Sequence, residues 1–130
     1  MKRINPSSLA AASGFSHAVV GSGTTVFLAG QTAMDADGRI IEGDVVAQFE
    51  QALSNLLTAL GEAGGTPADL ASMTIYVVDM DDYKERARDV GRVWKRLAGT
   101  DYPAMAGIGV SRLWDVEALV EVQGFAVLGD

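Results

Sequence analysis

The sequence predicts an α+β fold in which a mixed β-sheet carries two helices on one face. Two segments, residues 44–63 and 82–97, have apolar residues at helical spacing. Runs rich in β-branched residues lie before, between and after them, with two runs at each end of the chain. Hairpin-type pairing at both ends argues against a purely parallel sheet, so packing both helices on one face is the simplest arrangement.

The N-terminal part of the chain predicts a β-hairpin followed by a turn. Residues 17–20 and 26–29 have strand-like composition, and Gly21-Ser22-Gly23 between them is typical of a hairpin-like connection. Residues 35–38, Asp-Ala-Asp-Gly, then predict a turn in which Gly38 adopts a positive φ. The first helix follows this turn.

Residues 44–63 are the clearest predicted element, an amphipathic helix. Its apolar residues recur at steps of four, four, three and four: Val45, Phe49, Leu53, Leu56 and Leu60. Asp44 is a suitable N-cap, and Gly64-Gly65 followed by Pro67 predicts where the helix ends.

Residues 74–78 predict a central strand that leads into a second helix. The segment 79–82 contains three aspartates, which supply an N-cap and favourable negative charge at a helix start. The helix is expected over residues 82–97, and Gly99 closes it. Its apolar face consists of Tyr83, Ala87, Val90, Trp94 and Leu97.

Residues 102–110 and 119–128 are both predicted as buried strands, and the second carries a carboxylate, Glu121. A buried, unpaired Glu is unfavourable by several kcal/mol, so we expect a partner, a raised pKa or a cleft beside it. Because the last strand is apolar on both sides, a second subunit is expected to cover the free face of the sheet. Glu121 is the first candidate functional residue, and the alternative is a carboxylate paired at a subunit seam.

The composition predicts a single soluble domain over residues 1–130. Hydrophobic residues make up 48% and charged residues 21%, which is typical of a globular protein. The chain has no Cys and one His, His17, which disfavours disulfides, thiolate metal sites and sites that need two imidazoles. No apolar run approaches the roughly 20 residues that span a bilayer, and no signal peptide is recognisable. We expect a cytoplasmic protein with no membrane partner and no metal.

The net charge of −7 opposes nonspecific binding to nucleic acid, which depends on neutralising phosphates. Six of the ten basic residues nevertheless lie in one short segment: Lys84, Arg86, Arg88, Arg92, Lys95 and Arg96. This segment is either an anion-binding face or a solvated helix face, since Glu85 and Asp89 lie among the basic residues.

Several segments, in the right order over nearly the whole chain, resemble the YjgF/RidA family. They are residues 14–20 (GFSHAVV), 26–31 (VFLAGQ), 35–38, the helix around Gln48 and Asn55, 76–80 (YVVDM), Tyr102-Pro103-Ala104 and 119–122 (LVEV). The resemblance implies a chorismate-mutase-like α+β sandwich that forms a homotrimer, with small-molecule clefts between adjacent subunits. It also implies hydrolysis of enamines and imines to carbonyl compounds and ammonia, without a metal or cofactor.

The family's site residues match this chain only in part. Glu121 falls at the position of a glutamate that positions or activates water. Met105, however, stands where the family has an arginine that clamps the substrate carboxylate, and a thioether cannot replace that charge-assisted pair of about 1.5–3 kcal/mol. Ser16 stands at the position of a cleft tyrosine, and Ala87 or Arg88 at that of an asparagine.

The remaining candidates each have a functional and a structural interpretation. Met105 and Gly107 are expected to share one face of a strand next to that of Glu121, with backbone N–H groups near Gly107 available to polarise a substrate. Arg88 is a candidate replacement cation, whereas Arg112 is expected to be structural. Four further candidates are His17, Ser16, Phe15 and Tyr102. Each is interpreted either as a functional residue, that is, a proton shuttle or part of a pocket wall, or as a structural one.

We therefore predict an imine or enamine hydrolase whose substrate differs from 2-aminoacrylate because Met105 replaces the arginine. A trimeric binding protein without catalysis is the alternative, favoured by Met105 and disfavoured by Glu121. An endoribonuclease is the weakest alternative, because the charge is negative and no histidine pair exists.

Overall fold

The structure is a computed structural model that describes residues 1–129. The strands are β1 (Lys2–Ile4), β2 (Ala18–Val20), β3 (Thr24–Gln31), β4 (Leu70–Val77), β5 (Ala104–Gly109) and β6 (Val120–Leu128). The α-helices are α1 (Val45–Glu62), α2 (Met80–Glu85) and α3 (Ala87–Ala98), and a short 3-10 helix spans Pro67–Asp69. Over residues 1–129, no helix is both long and apolar enough to cross a membrane.

The main sheet has four strands in the order β3-β6-β4-β5. β4 and β5 are parallel, whereas β6 runs antiparallel to both of its neighbours. Helices α1 and α3 pack against each other, and α1 also packs on β3 and β6. The predicted α+β class, with a mixed sheet and the helices on one face, is confirmed.

The predicted hairpins at the two ends of the chain are wrong. β2 pairs with β1, which the polar sequence Lys2-Arg3 did not reveal, and β3 pairs with β6. At the C-terminal end β4 lies between β5 and β6. A parallel neighbour requires a crossover connection, and α2 and α3 supply it between β4 and β5. β5 is an edge strand whose last four residues are exposed, and not the buried strand we predicted.

The second predicted helix is divided at Arg86, whose backbone (φ −99°, ψ 11°) departs from helical geometry. The Arg86 guanidinium donates hydrogen bonds to Asp82 at 3.0 Å and Asp44 at 3.3 Å, which joins the starts of α2 and α1. The predicted N-caps are confirmed, because Asp44 accepts from Ala47 N–H at 2.9 Å and Asp79 accepts from Asp82 N–H at 3.1 Å.

The core lies between the helices and one face of the sheet. Its largest fully buried side chains belong to α1, β4 and β6: Phe49, Leu53, Leu56, Leu60, Leu70, Val77, Val120 and Val122. Gln48 lies among them at 3% exposure, and its side chain accepts a hydrogen bond from Leu119 N–H at 2.8 Å and donates one to the Glu117 carbonyl at 3.1 Å. This buried amide fastens α1 to the start of β6.

The opposite face of the sheet, here called the open face, is uncovered in a single chain. Phe27 is 77% exposed, Ile108 44% and Phe125 41%, and the rings of Phe27 and Phe125 meet edge-to-face at 5.5 Å. Large apolar side chains exposed on a sheet face are typical of an interaction surface. The expected homotrimer stays a prediction.

Candidate functional site

Glu121 and Met105, the two main site candidates predicted from the sequence, project from opposite faces of the sheet. Glu121 and Ile108 are both opposite Tyr76 of β4, whereas Met105 is opposite Met73 in the core. Because side chains alternate along a strand, Glu121 lies on the open face and Met105 on the helix side. β5 is therefore not the strand next to Glu121, as we had expected, and one chain alone does not bring the two side chains together.

Glu121 lies against Gly30 on the open face. β3 has an irregular register between Leu28 and Gln31, which places Gly30 beside the carboxylate. A Cβ on Gly30 would overlap Oε2 of Glu121, so the carboxylate occupies space that only glycine leaves free. Glu121 is half-buried and makes no hydrogen bond or ion pair with any side chain or backbone group in the part of the chain that the structure describes. Its oxygens are thus available to a molecule from outside this part of the chain.

Met105 lines a cavity of about 200 Å³ between the sheet, α1 and α3, here called the Met105 cavity. Its other lining residues are Ser13, Gly14, Phe49, Ile75, Tyr83, Ala87, Val90, Gly91, Trp94 and Tyr102. Four of these are aromatic, and no Lys, Arg, Asp or Glu is among them. The cavity includes Ala87, one of the two positions matched to the family's asparagine.

The polar groups of the Met105 cavity are uncharged. Trp94 is 4% exposed, and its indole N–H has no acceptor among residues 1–129. Burial raises the pKa of the Tyr83 hydroxyl to about 12, so this group is neutral at physiological pH. The Trp94 ring stacks on Tyr102 with centroids 6.2 Å apart. We expected Trp94 to pack in the core, and it does so while also forming the wall of the cavity.

The candidates Ser16, His17 and Phe15 belong to the loop that leads to the cavity. Ser16 is buried, and its hydroxyl donates to the Tyr102 carbonyl at 2.7 Å. His17 Nε2 is 2.7 Å from the Ala10 carbonyl oxygen, its backbone N–H donates to Asn5 Oδ1, and Phe15 packs edge-on against its ring. These contacts shape the loop whose Ser13 and Gly14 reach the cavity. A direct substrate role for the three residues stays a prediction.

Tyr102 lines the Met105 cavity, as expected of a pocket wall, and Arg3 holds it there. The Arg3 guanidinium donates to the Tyr102 carbonyl at 3.2 Å, the Asp101 carbonyl at 3.3 Å and the Ala68 carbonyl at 2.9 Å. Sequence reasoning missed this role, because nothing in the N-terminal sequence shows which distant carbonyls a guanidinium will meet.

The remaining candidates lie outside the cavity. A Cβ at Gly107 would meet no atom within 4 Å, so nothing in the described chain requires glycine there. Arg88 is exposed on α3 and does not line the cavity. Arg112 donates to the carbonyls of Leu113 and Trp114, and its expected structural role stays a prediction. Within residues 1–129, no group of three His, Cys, Asp or Glu side chains is placed to hold a metal.

The sequence of this chain matches those of known proteins. Residues 5–128 match the family described as endoribonuclease L-PSP. A RutC family protein from Pyrococcus horikoshii is 32% identical over 106 residues, covering 81% of this chain and 80% of the relative. A 2-iminobutanoate/2-iminopropanoate deaminase from Capra hircus is 31% identical over 106 residues, covering 81% of this chain and 74% of that protein.

The fold also matches solved structures. YyfB from Yersinia pestis, described as a protein of unknown function of the conserved Rid protein family, aligns with a TM-score of 0.89 and 36% identity over 98% of each chain. Agreement over the whole length, both in sequence and in the sheet that carries Glu121, leaves one assignment. The chain belongs to the YjgF/RidA family of Rid proteins.

Proposed function

We propose that this protein is a cofactor-free hydrolase that converts a small imine or enamine into a carbonyl compound and ammonia. The observation that carries the proposal is Glu121, which lies on the open face beside Gly30 without a partner among the described residues. Relatives named as imine deaminases support the reaction class.

The chemistry requires one group that can accept and return a proton. The Glu121 carboxylate takes a proton from water while the water oxygen attacks the carbon of the C=N bond. That proton passes to nitrogen and gives a neutral carbinolamine. Glu121 then takes the proton of the new hydroxyl group and delivers it to the same nitrogen, the C–N bond breaks, and ammonia leaves as the carbonyl forms. An enamine first takes a proton on carbon to become the imine. Water and imine are the only reactants, so no oxidant or reductant is involved.

The site is proposed to form between protomers of a homotrimer. The sheet separates Glu121 from the Met105 cavity within one chain. A second copy of the chain is therefore needed to place a Glu121 carboxylate next to a Met105 cavity. The exposed Phe27, Ile108 and Phe125 supply apolar surface on which a copy can pack. In this arrangement Glu121 of one protomer faces the cavity of its neighbour.

The first experiment tests Glu121 itself. Glu121→Gln keeps the shape and removes the base, so ammonia release from in situ generated imines should fall by about 10²–10⁴-fold in kcat. Glu62→Gln, on the last turn of α1, is the matched control and should retain activity. Unchanged turnover in Glu121→Gln would refute the assignment. A change in ligand affinity without any wild-type turnover would instead support the non-catalytic binding protein, which the replacement of arginine by Met105 favours.

The second experiment tests the composite site by complementation. Glu121→Gln removes the acid and Gly91→Leu fills the cavity, so each variant alone should be inactive. Co-expressed with different tags, randomly mixed oligomers should regain activity at about a quarter of their sites, because those sites combine an intact acid with an intact cavity. No recovery in purified mixed oligomers would place the whole site in one protomer.

A further inference from the structure

We infer that the Met105 cavity receives an uncharged, apolar substituent of the ligand, so that the preferred substrates are imines of neutral aliphatic or aromatic carbonyl compounds and not imino acids. The inference rests on the proposed function in one respect, because it takes this cavity as part of the substrate site. It goes further by naming the ligand class and the residues that select it.

The size of the cavity limits the ligand. A volume of about 200 Å³ corresponds to roughly seven water molecules, at about 30 Å³ each, and therefore to a substituent of about seven non-hydrogen atoms. The rings of Phe49, Trp94 and Tyr102 offer flat apolar surface to such a group. A five- or six-membered ring, or a branched chain of similar size, fits these dimensions.

The charges that this chain places around the cavity disfavour a carboxylate. Among residues 1–129, no Lys or Arg lines it, and the guanidinium of Arg86 is already engaged by Asp82 and Asp44. A carboxylate entering this space would lose its hydration without gaining a cation, which is strongly unfavourable. Tyr83 keeps its proton at neutral pH, so it contributes a neutral hydroxyl and no charge.

The polar groups of the wall carry no charge. Ser13, Tyr83 and Tyr102 have hydroxyl groups, and Tyr83 keeps its proton at neutral pH. Such groups suit a neutral ligand and provide no charge to balance a carboxylate.

Gly91 keeps the cavity open. It lies within α3, where glycine is less favourable than alanine, and a Cβ built on it meets no atom within 4 Å. The helix therefore presents no side chain at this point of the wall. Because the space exists in the folded chain, a larger residue at position 91 can fill the cavity without displacing the core.

Binding can be measured without turnover by using Trp94 fluorescence. Trp114→Phe removes the other tryptophan, which is 92% exposed, and leaves Trp94 as the only reporter. In this background cyclohexanone and cyclohexanecarboxylate are titrated as a matched neutral and charged pair. We expect the ketone to bind at least about tenfold more tightly. Equal affinity, or tighter binding of the carboxylate, would overturn the inference.

Two substitutions test where the ketone binds and which residue sets the preference for the ketone over the carboxylate. Gly91→Leu should abolish the fluorescence response to the ketone while the circular dichroism spectrum and thermal transition stay cooperative. Met105→Arg should reverse the preference toward the carboxylate, whereas Ala59→Arg, which adds the same charge on the exposed side of α1, should not. An unchanged fluorescence response to the ketone in folded Gly91→Leu would show that the ketone binds outside the Met105 cavity.

The outcomes separate the inference from the proposed function. Ketone binding without hydrolysis of the corresponding imine would refute the hydrolase and keep the neutral-ligand cavity. Imine hydrolysis that depends on Glu121, with no saturable response at Trp94, would keep the hydrolase and refute the cavity.

Discussion

At the scale of single residues, the position of the Glu121 carboxylate depends on Gly30. The carboxylate can lie where it does only because residue 30 has no side chain. The missing Cβ of Gly30 therefore shapes the candidate site. The sequence did not reveal this, because Gly30 only follows the apolar run of residues 26–29.

Gly30→Ala tests this relation. The added Cβ would overlap Glu121 Oε2, so the carboxylate must move, and we expect kcat to fall at least about tenfold because small displacements of a catalytic group are costly. Gly107→Ala is the control, because its Cβ meets nothing within 4 Å. Steady-state ammonia release measures both variants. Full activity of Gly30→Ala would show that the carboxylate position is not critical.

Tyr83 makes stability depend on pH in the alkaline range. Its pKa is about 12 in the folded chain and 10.0 in the unfolded chain, so the folded state holds its proton longer. The contribution of Tyr83 to the free energy of unfolding is therefore fully present below pH 10 and is lost as the pH rises toward 12. Between these values the free energy of unfolding should fall by about 2 kcal/mol more in the wild type than in Tyr83→Phe. Urea denaturation at several pH values would show identical losses if Tyr83 were not desolvated.

At the scale of elements, the sequence predicted what depends on local rules. The caps at Asp44 and Asp79, the apolar face of α1 and the strand β4 follow from hydrogen bonding and periodicity over a few residues. The break at Arg86 was missed because the apolar pattern of residues 82–97 continues through it, and the ion pair of Arg86 with Asp44 joins positions 42 apart in the sequence. The role of Gln48, a polar residue within the apolar face of α1, was missed as well, because its partners Glu117 and Leu119 are distant in the sequence.

Gln48→Leu should weaken the connection between α1 and β6. The substitution leaves Leu119 N–H and the Glu117 carbonyl without their partner, at about 1–3 kcal/mol for each group that stays buried. We expect a lower midpoint in urea denaturation. Gln51→Leu is the comparison, since the Gln51 amide bonds only to Asn55 of the same helix and should cost less. Equal losses would mean that the Gln48 bonds contribute little.

At the scale of the whole molecule, the arrangement of strands determines which residues can share a site. The sequence identified Glu121 and Met105 but could not predict that β4 lies between their strands, because strand order depends on long-range pairing. The two strands predicted near the C-terminus, residues 102–110 and 119–128, suggested a hairpin, and local composition did not reveal that α2 and α3 form a crossover from β4 to β5. The full lining of the cavity was missed for the same reason, since its walls come from five separate segments of the chain.

Phe125→Asp tests whether copies of the chain assemble on the open face. A buried carboxylate at an apolar interface is unfavourable, so we expect sedimentation to shift from trimer to monomer. Thr58→Asp, on the exposed surface of α1, adds the same charge and should leave the trimer intact. A trimer that persists in Phe125→Asp would place the interface elsewhere, and loss of imine hydrolysis in a folded monomer would agree with a site shared between chains.

The central position of β6 has a consequence for biosynthesis. β3 and β4 both pair with β6, yet β6 begins only at residue 120, so neither has its main partner while most of the chain is being translated. Nascent chains must therefore hold unpaired edges in the ribosome tunnel and at its exit until the last strand emerges, and only then can the sheet close.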